Sequence, residues 1–163
     1  MIINLKNKDT LEFDDFKFKC SIGKNGINKK KVEGDKTTPK GIFNLGKIYF
    51  RSDRIRKPTT ILQTKVIKKE MGWCNDIKSK YYNREIKKNK LLRHETLFRK
   101  DYKYDIFIVI KYNYKKRIFG SGSAIFIHLT KNYSPTDGCI ALNKKDLLIL
   151  LKLINRKTKI KIY

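Results

Sequence analysis

The residues with the clearest capacity for chemistry lie in the stretch 125–142, which reads IFIHLTKNYSPTDGCIAL. An apolar run reaches His128, a polar loop follows, and Cys139 stands after Gly138 at the start of a second apolar run. A cysteine thiol becomes a useful nucleophile when an adjacent base takes its proton. We therefore predict Cys139 as a nucleophile and His128 as its base. Backbone N–H groups around Gly138 are expected to form an oxyanion hole.

The spacing of this pair does not by itself establish catalysis. A core histidine followed by a buried strand cysteine would give the same pattern. The chain's other histidine, His94, has no cysteine near it and is interpreted as structural. The order of histidine and cysteine along the chain excludes some classes of thiol enzyme, because papain-like and NlpC/P60-type enzymes place the cysteine first. Caspase-like enzymes need a QACRG-type signature, which is absent, and sortases separate the two residues more widely and add a downstream arginine.

The elements that must position this pair are mainly β-strands. Leu11–Phe13 and Phe16–Ile22 alternate around the turn residues Asp14 and Asp15, which predicts a hairpin with one buried face. The continuous apolar run at 105–112 predicts a central strand buried on both faces. Further strands are predicted at 42–50, 60–67, 124–129 and 158–163.

One segment is predicted to be helical. Asn143 is a good N-cap, Asp146 follows at the acidic position of a capping box, and LLILLKLI supplies an apolar face. Residues 70–100 have mixed polarity without a clear period, which predicts an insertion or lid over the sheet. The whole chain, 1–163, is therefore expected to form one mainly-β domain with a docked C-terminal helix.

Composition leaves the partner open. The chain carries 40 Lys and Arg against 15 Asp and Glu, for a net charge of +25, which would suit a polyanion such as nucleic acid or an anionic wall polymer. A coding bias toward lysine explains the same charge, since the lysines are scattered and form no single stripe. No run approaches the ~18 apolar residues of a membrane span, and we recognise no signal peptide.

The three cysteines, Cys20, Cys74 and Cys139, form no CxxC pair, and two histidines do not complete a zinc-type ligand set. A structural metal is therefore not expected. A Cys20–Cys74 disulfide and three reduced thiols both remain compatible with the sequence.

The stretch around Cys139 resembles the L,D-transpeptidase catalytic domain, also called the YkuD domain. That family carries a histidine on a strand, a loop, and a Ser/Thr-x-Gly-Cys motif, which is matched here by Thr136–Cys139. Upstream, EGDKTTPKGIF at 33–43 resembles the family's Thr-Pro-x-Gly-x-Phe hairpin. The segments 51–54, 72–76 and 82–83 resemble a short, single-domain proteobacterial subgroup, and the resemblance covers residues 16–163.

The resemblance implies a YkuD-like β-sandwich or mixed sheet and a cysteine-dependent peptidoglycan L,D-transpeptidase that needs neither metal nor organic cofactor. Cys139 would form a thioester on the diamino acid of a stem tetrapeptide and pass it to an amine, cross-linking the cell wall. Water as acceptor would give L,D-carboxypeptidase activity, and a free D-amino acid would give exchange. The expected partners are peptidoglycan stem peptides, the expected location is the periplasm, and the expected state is a monomer.

Two alternatives belong to other classes. A basic β-domain of this size could bind nucleic acid by stacking its aromatic side chains on bases. An inactive module on the same fold could bind the wall without catalysis.

The sequence departs from the family pattern beside the nucleophile. Many members read Ser-His-Gly-Cys-x-Arg, whereas this chain has Asp137 for the second histidine and Ala141 for the arginine. Arg51 and Arg54 are candidates for replacing the lost cation, with surface charge as the alternative. The other predicted substrate contacts are Thr136 and Asp137 beside the cysteine, and Trp73, Tyr82 and Asn83 as a lid wall. Ordinary packing of the insertion on the sheet is the alternative for that last group.

Overall fold

The computed structural model describes residues 1–163, and most of its regular structure is β-strand. The strands are β1 (Ile2–Asn7), β2 (Thr10–Phe13), β3 (Phe16–Ser21), β4 (Ile27–Asn28), β5 (Thr38–Pro39), β6 (Gly41–Phe50), β7 (Thr64–Val66), β8 (Met71–Cys74), β9 (Glu85–Lys87), β10 (His94–Thr96), β11 (Ile106–Ile110), β12 (Phe126–Leu129), β13 (Ile140–Leu142) and β14 (Lys159–Ile162). The helix α1 spans Lys144–Leu153. The predicted mainly-β class with one C-terminal helix is confirmed.

Nine strands form a mixed sheet in the order β11-β12-β13-β3-β2-β1-β14-β6-β7. The long strand β6 pairs with β14 through its first residues and with β11 through its last ones, so the sheet closes on itself. A cluster of 24 buried apolar residues from the sheet and the helix fills its interior. A second cluster of 11 lies on the outer face of β11 and β12 and contains Cys139.

The predicted central strand is confirmed as β11. Its residues are all buried, with Ile106, Ile108 and Ile110 in the large cluster and Phe107 and Val109 in the smaller one. Because successive side chains of a strand point to opposite faces, this unbroken apolar run is what a strand covered on both sides requires.

β1 was not among the predicted strands, although it lies inside the sheet between β2 and β14. Only Ile3 and Leu5 of the strand are fully buried. It pairs in parallel with β14, which is the opposite end of the chain. A two-residue alternation is too short to indicate a strand by itself, and the pairing that stabilises it is set by long-range contacts.

The predicted helix cap is confirmed. The Asn143 side chain accepts a hydrogen bond from the backbone N–H of Asp146 at 2.9 Å, and Leu147, Leu150 and Leu151 bury the apolar face of α1. This burial docks the helix on the closed sheet. None of the chain's helical structure is both long and apolar enough to cross a membrane.

Residues 70–100, the predicted insertion or lid, carry a separate small sheet in the order β10-β8-β9. Its strands are three or four residues long, which explains why no period is visible in the sequence. Met71, Trp73 and Leu97 pack into the smaller apolar cluster beside Phe107 and Phe126. The small sheet therefore covers the outer face of β11 and β12, next to Cys139.

Candidate active site

His128 and Cys139 are brought together by two neighbouring parallel strands. β12 pairs with β13 in the register Ile127 to Ile140 and His128 to Ala141, and Cys139 immediately precedes β13. Because alternate residues share a face, the two side chains lie on the same face, offset by two residues along the strands. For strands about 4.8 Å apart with a rise of about 3.3 Å per residue, their Cα atoms are about 8 Å apart.

Gly138 has a backbone conformation that other residues rarely adopt, with φ of +135°. A Cβ at this position would lie 2.8 Å from the carbonyl oxygen of Thr37. The Thr38 hydroxyl donates a hydrogen bond of 2.9 Å to the Gly138 carbonyl and accepts one from the Gly23 N–H. The upstream TTPKG segment thus holds the backbone that precedes the nucleophile, and only glycine fits its contact.

The backbone N–H groups beside the nucleophile have different partners. The Gly138 N–H donates to the Thr136 hydroxyl at 3.1 Å, and that hydroxyl donates to the Cys139 carbonyl at 2.6 Å. The Cys139 N–H makes no hydrogen bond within the chain. Of the two groups expected for an oxyanion hole, the Cys139 N–H is therefore the one free to bind a substrate oxygen.

The Cys139 thiol is buried and hydrogen-bonded to backbone. Its Sγ donates to the Ala124 carbonyl at 3.2 Å and accepts from the Phe126 N–H at 3.3 Å. Burial and the nearby Glu95 carboxyl raise the pKa of the thiol to about 12, against the lowering influence of Lys31. The resting cysteine is therefore a neutral thiol at neutral pH. All three cysteines of the chain are buried and free of disulfides.

The His128 ring is oriented by its neighbour's backbone. Its Nδ1 lies 2.8 Å from the carbonyl oxygen of Leu129, an acceptor, so Nδ1 carries the proton and Nε2 is left as the basic nitrogen. Burial lowers the pKa of His128 to about 4, and the positive charges of Lys103 and Arg99 act in the same direction. A neutral imidazole and a neutral thiol therefore lie on the same face of the paired strands.

A cleft of about 610 Å³ opens over this pair, with Cys139 and His128 in its lining. Many of the lining side chains are charged. The cationic ones are Lys31, Lys36, Arg93, Arg99, Lys103 and Lys131, and the acidic ones are Glu33, Glu95 and Asp137. No group of three or more His, Cys, Asp or Glu side chains is arranged to hold a metal ion. The arrangement is that of a thiol–imidazole site in a cleft with charges of both signs.

The family model YkuD, the L,D-transpeptidase catalytic domain, matches residues 1–162. The chain belongs to this family. No curated protein matches the chain. Membership of the L,D-transpeptidase family implies an enzyme of the transferase or peptidase type, and a peptidoglycan substrate is consistent with it.

Asp137 and Ala141, the two departures from the usual L,D-transpeptidase motif, both line the cleft. Ala141 pairs with His128 across the two strands, so an arginine there would enter the cleft beside the histidine. The cations that line the cleft come from other parts of the chain. Thr136 also borders the cleft, and its hydroxyl is used within the turn that carries Cys139.

Arg51 and Arg54 do not line the cleft. The Arg51 guanidinium binds both carboxylate oxygens of Asp53 at 2.7 and 2.6 Å and donates to the Arg99 carbonyl at 2.8 Å. Arg54 donates to the Asp105 carboxylate and to the carbonyls of Asp101 and Lys100. The two arginines thus bind the segment 99–105 from outside the cleft. Residues of this segment line the cleft.

Trp73, Tyr82 and Asn83 are buried and also lie outside the cleft lining. The Trp73 indole N–H donates to the Asn83 side-chain oxygen at 2.9 Å, and the same oxygen accepts from the Ala124 N–H at 3.1 Å. These residues therefore pack the insertion on the sheet and do not form the predicted lid wall. The Ala124 carbonyl in turn accepts the hydrogen bond of the Cys139 thiol. The Trp73–Asn83 pair therefore supports the position of Cys139 through Ala124.

Lys31, Glu95 and Tyr104 are among the cleft residues that were not singled out from the sequence. The Lys31 ammonium is almost wholly buried and donates to Asp35 at 2.6 Å. Burial would raise the pKa of Asp35, but this bond and three from Val32 and Thr37 lower it to about 2. Tyr104 donates a hydrogen bond to Glu95, whose own pKa burial raises, and its ring lies edge-on to His128. Nothing in their local sequence marks these residues.

Proposed function

We propose that this L,D-transpeptidase family member is a cysteine acyltransferase that acts on peptidoglycan stem peptides and forms cell-wall cross-links. The observation that carries the proposal is the site itself. Cys139 and His128 share one face of paired parallel strands at a cleft, with the Cys139 N–H free beside the thiol. This supplies a nucleophile, a base and one oxyanion donor in one place.

The acylation step follows from these groups. The Cys139 sulfur attacks the carbonyl carbon of the diamino acid at the third position of a stem tetrapeptide, while His128 Nε2 takes the thiol proton. The Cys139 N–H donates to the oxyanion of the tetrahedral intermediate. As that intermediate collapses, the C–N bond breaks, and His128 returns the proton to the departing D-alanine amine. The product is a thioester between Cys139 and the donor stem.

The second half-reaction regenerates the thiol. The amine of a second stem attacks the thioester carbon, and His128 takes a proton from that nitrogen. The C–S bond then breaks, and the proton passes to the sulfur. Water in place of the amine would give carboxypeptidase activity, and a D-amino acid would give exchange. Because the substrate is wall polymer, the proposal also entails a location in the periplasm, which fractionation of cells expressing the protein would test.

The neutral resting pair fits this scheme. With a Cys139 pKa near 12 and a His128 pKa near 4, neither group is ionised at neutral pH. A thiol that is not already a thiolate resists oxidation and adventitious alkylation. Proton transfer then accompanies attack on a bound carbonyl, which is general-base catalysis.

Intact-protein mass spectrometry tests the proposal. The reduced, folded protein is incubated with a carbapenem and, separately, with a disaccharide-tetrapeptide. We expect a covalent adduct with each and release of D-alanine from the second. Cys139→Ala should abolish both adducts. Cys20→Ala, which removes a thiol that is buried in the interior apolar cluster and does not line the cleft, is the matched control and should retain them. Absence of any adduct and of D-alanine release in the folded wild type would contradict the proposal.

A further inference from the structure

Residues 99–104 bring positive charge to the His128 end of the cleft. The Lys103 carbonyl accepts a hydrogen bond of 3.0 Å from the N–H of Leu129, the residue after His128. Arg99 and Lys103 both line the cleft. Burial lowers the pKa of the His128 imidazole, and both positive charges lower it further. The segment is therefore joined to the strand that carries the base.

The backbone of residues 99–104 is fixed from outside the cleft. Arg51 donates to the Arg99 carbonyl, and Arg54 donates to the Lys100 and Asp101 carbonyls. Within the segment, the Asp101 carboxylate accepts from the Lys103 N–H at 3.1 Å. These contacts hold the backbone of the segment in place without a substrate, which lowers the entropy lost on binding.

Arg99 and Lys103, the two cations of this segment that line the cleft, differ in how many of their nitrogen donors already have a partner. Arg99 is paired with Asp101 through Nε and one terminal nitrogen, and its other terminal nitrogen, Nη1, makes no hydrogen bond. Lys103 forms no salt bridge, so its ammonium is free to pair with an anion that enters the cleft. The Cys139 thiol is instead near charges of both signs, because Glu95 and Asp137 raise its pKa and Lys31 lowers it.

We propose that Lys103, assisted by Arg99, binds the free carboxylate of the residue that leaves during acylation. The inference rests on the proposed function, because that reaction brings the leaving amine to His128. The α-carboxylate of a terminal residue is attached to the same carbon as this amine, so it enters the region that Lys103 and Arg99 border.

Two matched donors test this assignment. One is a stem tetrapeptide with a free C-terminal D-alanine carboxylate, and the other is the same peptide with a C-terminal carboxamide. Wild-type protein should acylate faster from the free acid, with kcat/KM about tenfold to a hundredfold higher, the range of a charge-assisted hydrogen bond. Lys103→Gln should remove most of this preference by raising KM for the acid much more than KM for the amide.

Lys100→Gln is the control, because it removes one exposed positive charge from the same segment and leaves the carbonyl bound by Arg54 in place. It should keep the wild-type preference. Equal use of acid and amide by the wild type, or an unchanged preference in Lys103→Gln, would overturn the assignment of Lys103 while the acyltransferase proposal stands. Failure of the wild type on both donors, with no carbapenem adduct, would remove the proposed function and this inference with it.

Discussion

Residues 31–41 and residues 99–104 both border the cleft, and they act on it by different physical means. The first segment touches the nucleophile's backbone: Thr38 binds the Gly138 carbonyl, and the Thr37 carbonyl leaves no room for a side chain there. The second reaches the His128 end with charged side chains and is held from behind by arginines. One segment therefore fixes the position of the nucleophile, and the other sets the electrostatic environment of the base and its substrate.

The two segments should differ in how well they tolerate substitution. A contact between backbone atoms at van der Waals distance changes abruptly when an atom is added. A charge in a wide cleft acts over several ångströms and is screened by solvent. We therefore expect substitutions at the first segment's contact to be severe, and substitutions in the second to be graded.

The largest effect is expected for Gly138→Ala. The added methyl group would meet the Thr37 carbonyl oxygen at 2.8 Å in a backbone conformation with φ of +135°. The displacement of Cys139 that relieves this contact should lower the acylation rate about a hundredfold or more. The measurement is the rate of carbapenem adduct formation by intact mass.

Gly26→Ala is the control for Gly138→Ala. Gly26 also has a positive φ, of +80°, but a Cβ there would meet no atom within 4 Å. It carries the conformational strain without the steric contact, so acylation should be nearly unchanged. Equal losses in the two variants would show that strain, and not the contact with residues 31–41, accounts for the effect.

The buried, neutral His128 predicts a pH dependence of stability. Its folded pKa, about 4, is below the ordinary value of 6.5, so the unfolded chain binds the proton more readily. The free energy of unfolding should therefore fall as pH drops from about 6.5 through 4, by up to about 3 kcal/mol from this group. Urea titrations at several pH values should show a shallower fall for His128→Gln than for the wild type. Parallel curves for the two proteins would contradict the lowered pKa.

A smaller loss is expected for Thr38→Val, which keeps the side-chain shape and removes the hydroxyl. The Gly138 carbonyl and the Gly23 N–H would each lose a partner in a buried place. We expect a loss of about 2 kcal/mol in the free energy of unfolding and slower acylation. Thr38→Ser retains the hydroxyl and should recover most of the acylation rate. If Ser were as impaired as Val, the hydrogen bonds would not be the reason.

The smallest effect is expected for Arg54→Gln, in which the segment 99–104 loses two of its contacts from behind. Because Arg51 still holds the Arg99 carbonyl, the cations should become less well positioned without leaving the cleft. KM for a donor with a free C-terminal carboxylate should rise about threefold, the scale of one partly exposed charge interaction. Arg56→Gln, at an exposed position nearby, should leave KM unchanged. A larger rise for Arg56→Gln than for Arg54→Gln would contradict this role.

Much of the fold could be predicted from local patterns. The hairpin of β2 and β3, the strand β11 and the cap of α1 each follow from alternation, an unbroken apolar run or a capping residue. The strand β1 and the small sheet of residues 70–100 could not be predicted, because their short strands are stabilised by partners far away in the chain.

The sequence by itself determined which residues could do the chemistry. Only one histidine lies near a Gly-Cys pair, the strands that carry them are visible as apolar runs, and the upstream TTPKGIF segment resembles the same family. These features are local, because nucleophile, base and turn glycine must follow one another within a single strand–loop–strand unit.

The tertiary structure alone decided what surrounds that chemistry. It buries Lys31 and partly buries Glu95 at the cleft, makes the thiol and the imidazole neutral, and turns Arg51 and Arg54 into supports for the segment 99–104. The sequence does not show whether a charged side chain faces substrate or a backbone carbonyl. Its role depends on partners that lie close in space and far apart along the chain, and only folding brings them together.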